Sequence, residues 1–78
     1  MSAMFAEPVR LKVDGSVRTI SSLYGAEQMM VDIAWPVHGP CYDEALTIIA
    51  RAIDGERSTA DAERAFREAA AEAGLLEN

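Results

Sequence analysis

The sequence predicts a small single-domain α+β fold, an antiparallel β-hairpin packed against three helices in the order ββααα. Three observations predict it. Val9, Leu11 and Val13 alternate with Arg10, Lys12 and Asp14, and an Asp14-Gly15 pair and a second β-branched run follow. Apolar residues then recur at helical spacing in three separate stretches. Serine, proline or glycine signals mark where those stretches start and stop.

The first eight residues carry little pattern and are expected to form a flexible tail, with the domain over residues 9–78. Within the tail, Met4 and Phe5 could dock as a short strand or cover an edge. From Val9 the period of two marks a strand with one buried face. Asp-Gly is a strong hairpin signal, because glycine accepts positive φ without a Cβ clash. A three-residue loop, Asp14-Gly15-Ser16, is expected. It sets Val13 opposite Val17 and Leu11 opposite Thr19 and keeps one apolar face continuous. A two-residue loop would set Leu11 opposite Arg18. A lone hairpin is not stable in water, so helices must cover it.

Ser21 and Ser22 can cap the first helix through a hydroxyl that accepts an orphan N–H. Its expected stripe is Leu23, Ala26, Met30, Ile33 and Ala34, and Trp35-Pro36 ends it. Gly25 is a weak point, costing about 1 kcal/mol relative to alanine. Gly39-Pro40 opens the second helix, with proline where a missing N–H does no harm. Tyr42, Ala45, Leu46, Ile49, Ala52 and Ile53 form its stripe, and Gly55 closes it. Ser58 opens the third helix. Ala62, Ala65, Phe66, Ala69 and Ala73 line that helix, and Gly74-Leu75 has the pattern of a Schellman turn. Glu63 and Arg67 make an i,i+4 pair worth a few tenths of a kcal/mol.

Composition narrows the function classes. A chain of 78 residues buries a modest share of its surface and often needs a staple. The single cysteine allows no intramolecular disulfide, and one Cys with one His is too few for a structural zinc site. A second copy of the chain is the staple that remains. No cofactor is implied. No apolar run approaches the roughly 20 residues of a membrane span. The start lacks the features of a signal peptide, so a cytoplasmic location is expected. The net charge of −6 repels nucleic acid and anionic membranes. It is uneven: Arg10, Lys12 and Arg18 against Asp14 give the hairpin +2 and leave −8 elsewhere.

Few residues suggest chemistry. His38 and Cys41 are three apart, with Cys41 near a helix N-terminus, a position that lowers a thiol pKa. The plainer reading is a half-buried cysteine and a loop histidine. Trp35, His38 and Tyr42 can cluster where the first two helices join, as binding anchors or as the lid of the core; the scarcity of large aromatics favours the core for Trp35. Arg10, Lys12 and Arg18 can line one face of the hairpin. They would then form a weak nucleic-acid surface or a solvated face that guards the sheet edge. No catalytic, metal or cofactor-binding residue is assigned.

The order V-x-L-x-V-D-G-x-V-R-x-I-S, then Trp35-Pro36, Gly39-Pro40, A-I-D-G and A-E-R-A-F-R-E-A-A-A-E-A-G resembles the domain of unknown function 982 family. That resemblance implies a small uncharacterised protein typical of rhizobium-type bacteria, and it brings no activity. The resulting expectation is a non-enzymatic interaction or accessory protein, a homodimer working through protein–protein contacts. The alternatives are a dimeric regulator that binds nucleic acid through its basic hairpin, and a small-ligand or thiol site around Trp35, His38 and Cys41.

Overall fold

A computed structural model describes residues 3–77. Strands β1 (Met4–Val13) and β2 (Ser16–Ser22) form an antiparallel hairpin, followed by α1 (Leu23–Val31), α2 (Pro40–Ile53) and α3 (Thr59–Glu72). This is the α+β fold and the ββααα order read from the sequence.

The hairpin turn differs from expectation. Val13 pairs with Ser16, Lys12 with Val17 and Leu11 with Arg18, so the loop has two residues. Asp14 and Gly15 both take positive φ, 52° and 81°. Positive φ at both central positions is the conformation whose twist matches the flanking strands. Turn geometry therefore outweighs the apolar continuity that favoured a three-residue loop.

β1 starts earlier than the sequence suggested, at Met4 rather than Val9. Of the expected tail, residues 1 and 2 lie outside the described residues. Phe5 is buried, and Met4 pairs with Ser22. Between Met4 and Val9 the register shifts, because β1 carries more residues than β2 across that interval. Pro8 sits in this bulge, where a missing N–H breaks no ladder bond. Side chains of α3 take up the freed main chain. Glu7 N–H donates to Glu63 Oε1 at 3.4 Å, and Arg67 Nη2 donates to the carbonyls of Glu7 and Pro8 at 3.2 and 3.3 Å.

The far edge of β1 is covered by the end of the chain. Lys12 N–H donates to the Leu75 carbonyl at 2.7 Å, and Glu77 N–H donates to the Arg10 carbonyl at 3.0 Å. Leu11 and Leu76 form an antiparallel bridge. β1 is thus the middle strand of the layer.

The helices begin and end on local chemistry. Ser22 Oγ accepts from Gly25 N–H and Ser58 Oγ from Asp61 N–H, both at 3.0 Å. α2 and α3 finish in Schellman turns: Glu56 N–H reaches Arg51 O, and Leu75 N–H reaches Ala70 O. In α2 the buried stripe includes Ile48, while Leu46 and Ile53 are only half-buried. In α3 Ala70 is buried and Ala73 is half-buried. α1 is shorter than expected. It stops at Val31, Ala34 is half-buried and Ile33 is fully exposed.

Phe66, Leu11, Leu23, Met30, Ile49 and Val9 are the largest fully buried side chains. Around them runs a line of rings. Phe5 and Phe66 lie 6.2 Å apart, Phe66 and Trp35 5.7 Å, and Trp35 and Tyr42 6.1 Å.

Two stability outcomes follow. At Gly15 an added Cβ meets nothing within 4 Å, so Gly15→Ala carries only the positive-φ cost. It should lower unfolding free energy by about 1–2 kcal/mol in urea titrations. Arg67→Ala strips the bulge of its donor and should cost about 1–2 kcal/mol by the same measurement. Arg67→Lys should recover only part, since an ammonium lacks the planar fork that spans two carbonyls and a carboxylate.

Candidate functional site

The three cations of the hairpin do not share a face. Residues directly opposite in an antiparallel pair project to the same side. Leu11 is buried under the helices, so Arg18, its partner, lies on the helix-facing side. Arg18 and Ile20 line a groove there with Gly25, Gln28, Met29 and Asp32 of the α1 segment. Arg10 and Lys12 lie on the opposite, bare face with Val17 and Thr19. Arg10 also sits 3.8 Å from Glu77. The expected single basic face therefore divides, and the two-residue turn is the reason: it moves Arg18 across the sheet.

The Trp35–Tyr42 corner is built from the loop between α1 and α2. Trp35 is 2% exposed, and its Nε1–H donates to the Val37 carbonyl at 3.0 Å. Tyr42 is buried and donates its hydroxyl proton to the Met30 carbonyl at 2.7 Å. That bond satisfies one of the carbonyls left open at the end of α1. His38 is exposed and stacks on Tyr42, with ring centroids 4.2 Å apart and planes at 10°. The cluster of Trp35, His38 and Tyr42 exists, and its first and third members belong to the core.

Cys41 is half-buried in the first turn of α2, beside a group the sequence did not flag. Gly39, the N-cap, offers no side chain. Glu72, at the end of α3, supplies the carboxylate instead: its Oε2 accepts from Cys41 N–H at 3.3 Å. A Cβ on residue 39 would lie 2.6 Å from Glu72 Oε1, so glycine is what lets the carboxylate approach. Oε1 is itself buried without a hydrogen-bond partner. Burial, then the hydrogen bond and charge of Glu72, then the charges of Glu68 and Glu44 push the Cys41 thiol above its ordinary pKa. The helix N-terminus alone would act in the other direction. Burial and the carboxylates together outweigh it, and they disfavour the thiolate.

Among the described residues no group of three His, Cys, Asp or Glu is placed to hold a metal ion. No helix among them is long and apolar enough to cross a membrane. A shallow cleft of about 330 Å³ lies between Leu23, Tyr24, Ala52, Ile53 and the Gly55–Thr59 turn. Its lining is mainly apolar and brings no paired acid and base together.

Exposed apolar side chains are the feature the sequence reading missed. Tyr24 (57% exposed) and Val31 (63%) lie seven residues apart on one side of α1, and Ile33 (100%) and Val37 follow it. Val17 of β2 is also exposed. A helix stripe of Leu23, Ala26, Met29 and Met30 already fills the core side of α1. Tyr24 and Val31 fall outside that stripe, and this was the available signal.

The family described as "Protein of unknown function (DUF982)" matches residues 7–77, and the chain belongs to that family. No curated protein and no solved structure matches the chain.

The Cys41 environment gives a direct test. Alkylation by iodoacetamide at pH 8 should be slower for folded protein than for the urea-unfolded chain, because less thiolate is present. Glu72→Gln removes a negative charge beside the thiol, so its pKa should fall and the rate should rise. Equal rates for folded and unfolded chains would contradict this account.

Proposed function

We propose that this family member is a non-enzymatic interaction module of the cytoplasm, a homodimer that works through protein–protein contacts. The observation that carries the reading is the run of exposed apolar side chains along α1 and the loop after it. An isoleucine left fully in water forgoes about 1.5–3 kcal/mol of burial. Single exposed apolar residues are ordinary, whereas several gathered along one side mark a contact surface. Tyr24, Val31 and Ile33 form such a set on a chain of net charge −6. Burying them against a second copy supplies the staple that so short a chain otherwise lacks.

The reading also fits the chemistry described above. The thiol is held in its less reactive form, and the polar contacts of the Trp35–Tyr42 corner are spent on main-chain carbonyls. An interaction role asks nothing further of these groups.

Sedimentation equilibrium over a wide concentration range should return twice the chain mass. Ile33→Asp should shift the protein toward monomer at matched concentration. It should leave unfolding free energy within about 0.5 kcal/mol once measured on the monomer, since the side chain touches no core. A wild-type chain that stays monomeric at high concentration would overturn the reading.

A further inference from the structure

We infer that the outer edge of β1 is an acceptor for an extended acidic strand of a partner protein, and that residues 75–77 are a strap that fills this site in cis. The site is a different surface from the exposed side of α1 and does not depend on the homodimer.

The chain's own end shows the edge filled. In an antiparallel pair, alternate residues turn their N–H and C=O groups toward the partner strand and away from it. Leu11 and Val13 turn theirs toward β2, and Arg10 and Lys12 turn theirs outward. There Lys12 N–H donates to the Leu75 carbonyl at 2.7 Å, and Glu77 N–H donates to the Arg10 carbonyl at 3.0 Å. The bridge sets Leu76 opposite Leu11, and hence Glu77 opposite Arg10 and Leu75 opposite Lys12. Opposite residues project to the same face. Leu76 therefore joins Leu11 on the core side, where it is half-buried. Glu77 joins Arg10 on the bare side, 3.8 Å from its guanidinium. The edge thus asks three things of a strand: main-chain pairing, an apolar side chain at Leu11 and a carboxylate at Arg10.

The strap meets these demands incompletely. It places Leu75 opposite Lys12, and the Lys12 side chain has no ion-pair partner among the described residues. A strand of the pattern acid, apolar, acid would serve Lys12, Leu11 and Arg10 together. The strap's hold is also slight. Leu75 is its one buried side chain. The rest is two main-chain bonds, the half-buried Leu76 and an ion pair whose Arg10 side chain is 65% exposed. Exposed pairs of this kind contribute little and are screened by salt. The hairpin is the cationic end of a chain of net charge −6, so an acidic strand is drawn to this edge and repelled elsewhere.

The experiment follows main-chain amide shifts of the full-length chain by NMR as a blocked peptide, Thr-Glu-Leu-Glu-Thr, is added to millimolar concentration. Glu77→Pro deletes the N–H bound to the Arg10 carbonyl and opens the strap. Glu77→Gln keeps that N–H and loses only the charge, and it stands in if the proline variant does not fold. Shifts centred on Arg10, Leu11 and Lys12 are expected. The apparent affinity should be about tenfold higher for Glu77→Pro than for the wild type, because the strap no longer competes. Lys12→Ala keeps its main-chain bond to Leu75 and should weaken peptide binding severalfold. A peptide with lysine in place of both glutamates should not bind. No shift on β1 in the opened chains, equal affinity for wild type and opened chains, or equal binding of the lysine peptide would overturn the inference. The mass of the wild-type chain decides the homodimer separately.

Discussion

Phe66 holds the molecule together. It is fully buried on α3 and packs against Phe5 of β1 and Trp35 of the loop between α1 and α2. Trp35 packs on Tyr42 of α2, and the Tyr42 hydroxyl binds the Met30 carbonyl of α1. One line of rings and one hydrogen bond thus reach all three helices and the first strand. Ring pairs of this kind add about 0.5–1.5 kcal/mol beyond their buried area. In so small a core that increment decides where the chain must turn.

The early end of α1 follows from this line. For the indole to reach Phe66, the chain after Val31 must leave the helix and fold inward. Asp32 organises the turn: its carbonyl accepts from Trp35 N–H at 3.0 Å and its carboxylate from Ala34 N–H. Ile33 is left at the tip, fully exposed. Helical spacing placed Ile33 and Ala34 on the buried stripe, because the pattern counts residues and takes no account of where a distant phenylalanine draws the tryptophan. The exposed surface proposed for association is thus produced by the packing of the core.

What the sequence made legible was local. The Asp-Gly turn, both serine caps, the proline start of α2, its glycine stop and the Schellman end of α3 each depend on chemistry within about six residues, and each is present. What it concealed depends on partners far along the chain. Glu63 and Arg67 read as a surface pair worth little. Their larger role is to bind the Glu7–Pro8 main chain, nearly sixty residues away. The hairpin register lay in between. The turn residues were evident, but one extra loop residue reverses the side of every side chain on β2. That single choice joined Arg18 to Arg10 and Lys12 on a basic face that does not form.

The join between α2 and α3 shows the same division at the residues that looked most chemical. Cys41 at a helix N-terminus, three residues from a histidine, is the pattern of an activated thiol. The helix N-terminus attracts negative charge, and in this fold Glu72 answers that attraction before a thiolate can. Gly39 gives the carboxylate room, at the expense of a buried Oε1 with no partner. An unsatisfied buried acceptor typically costs about 1–3 kcal/mol. Here that cost secures the end of one helix to the start of another and spends the electrostatic advantage of the helix terminus. The thiol is left among carboxylates that oppose its ionisation, and the imidazole lies flat on Tyr42. The Cys41 N–H and the Tyr42 hydroxyl are thus engaged in holding the fold, while Tyr24, Val31 and Ile33 remain exposed on and just after α1.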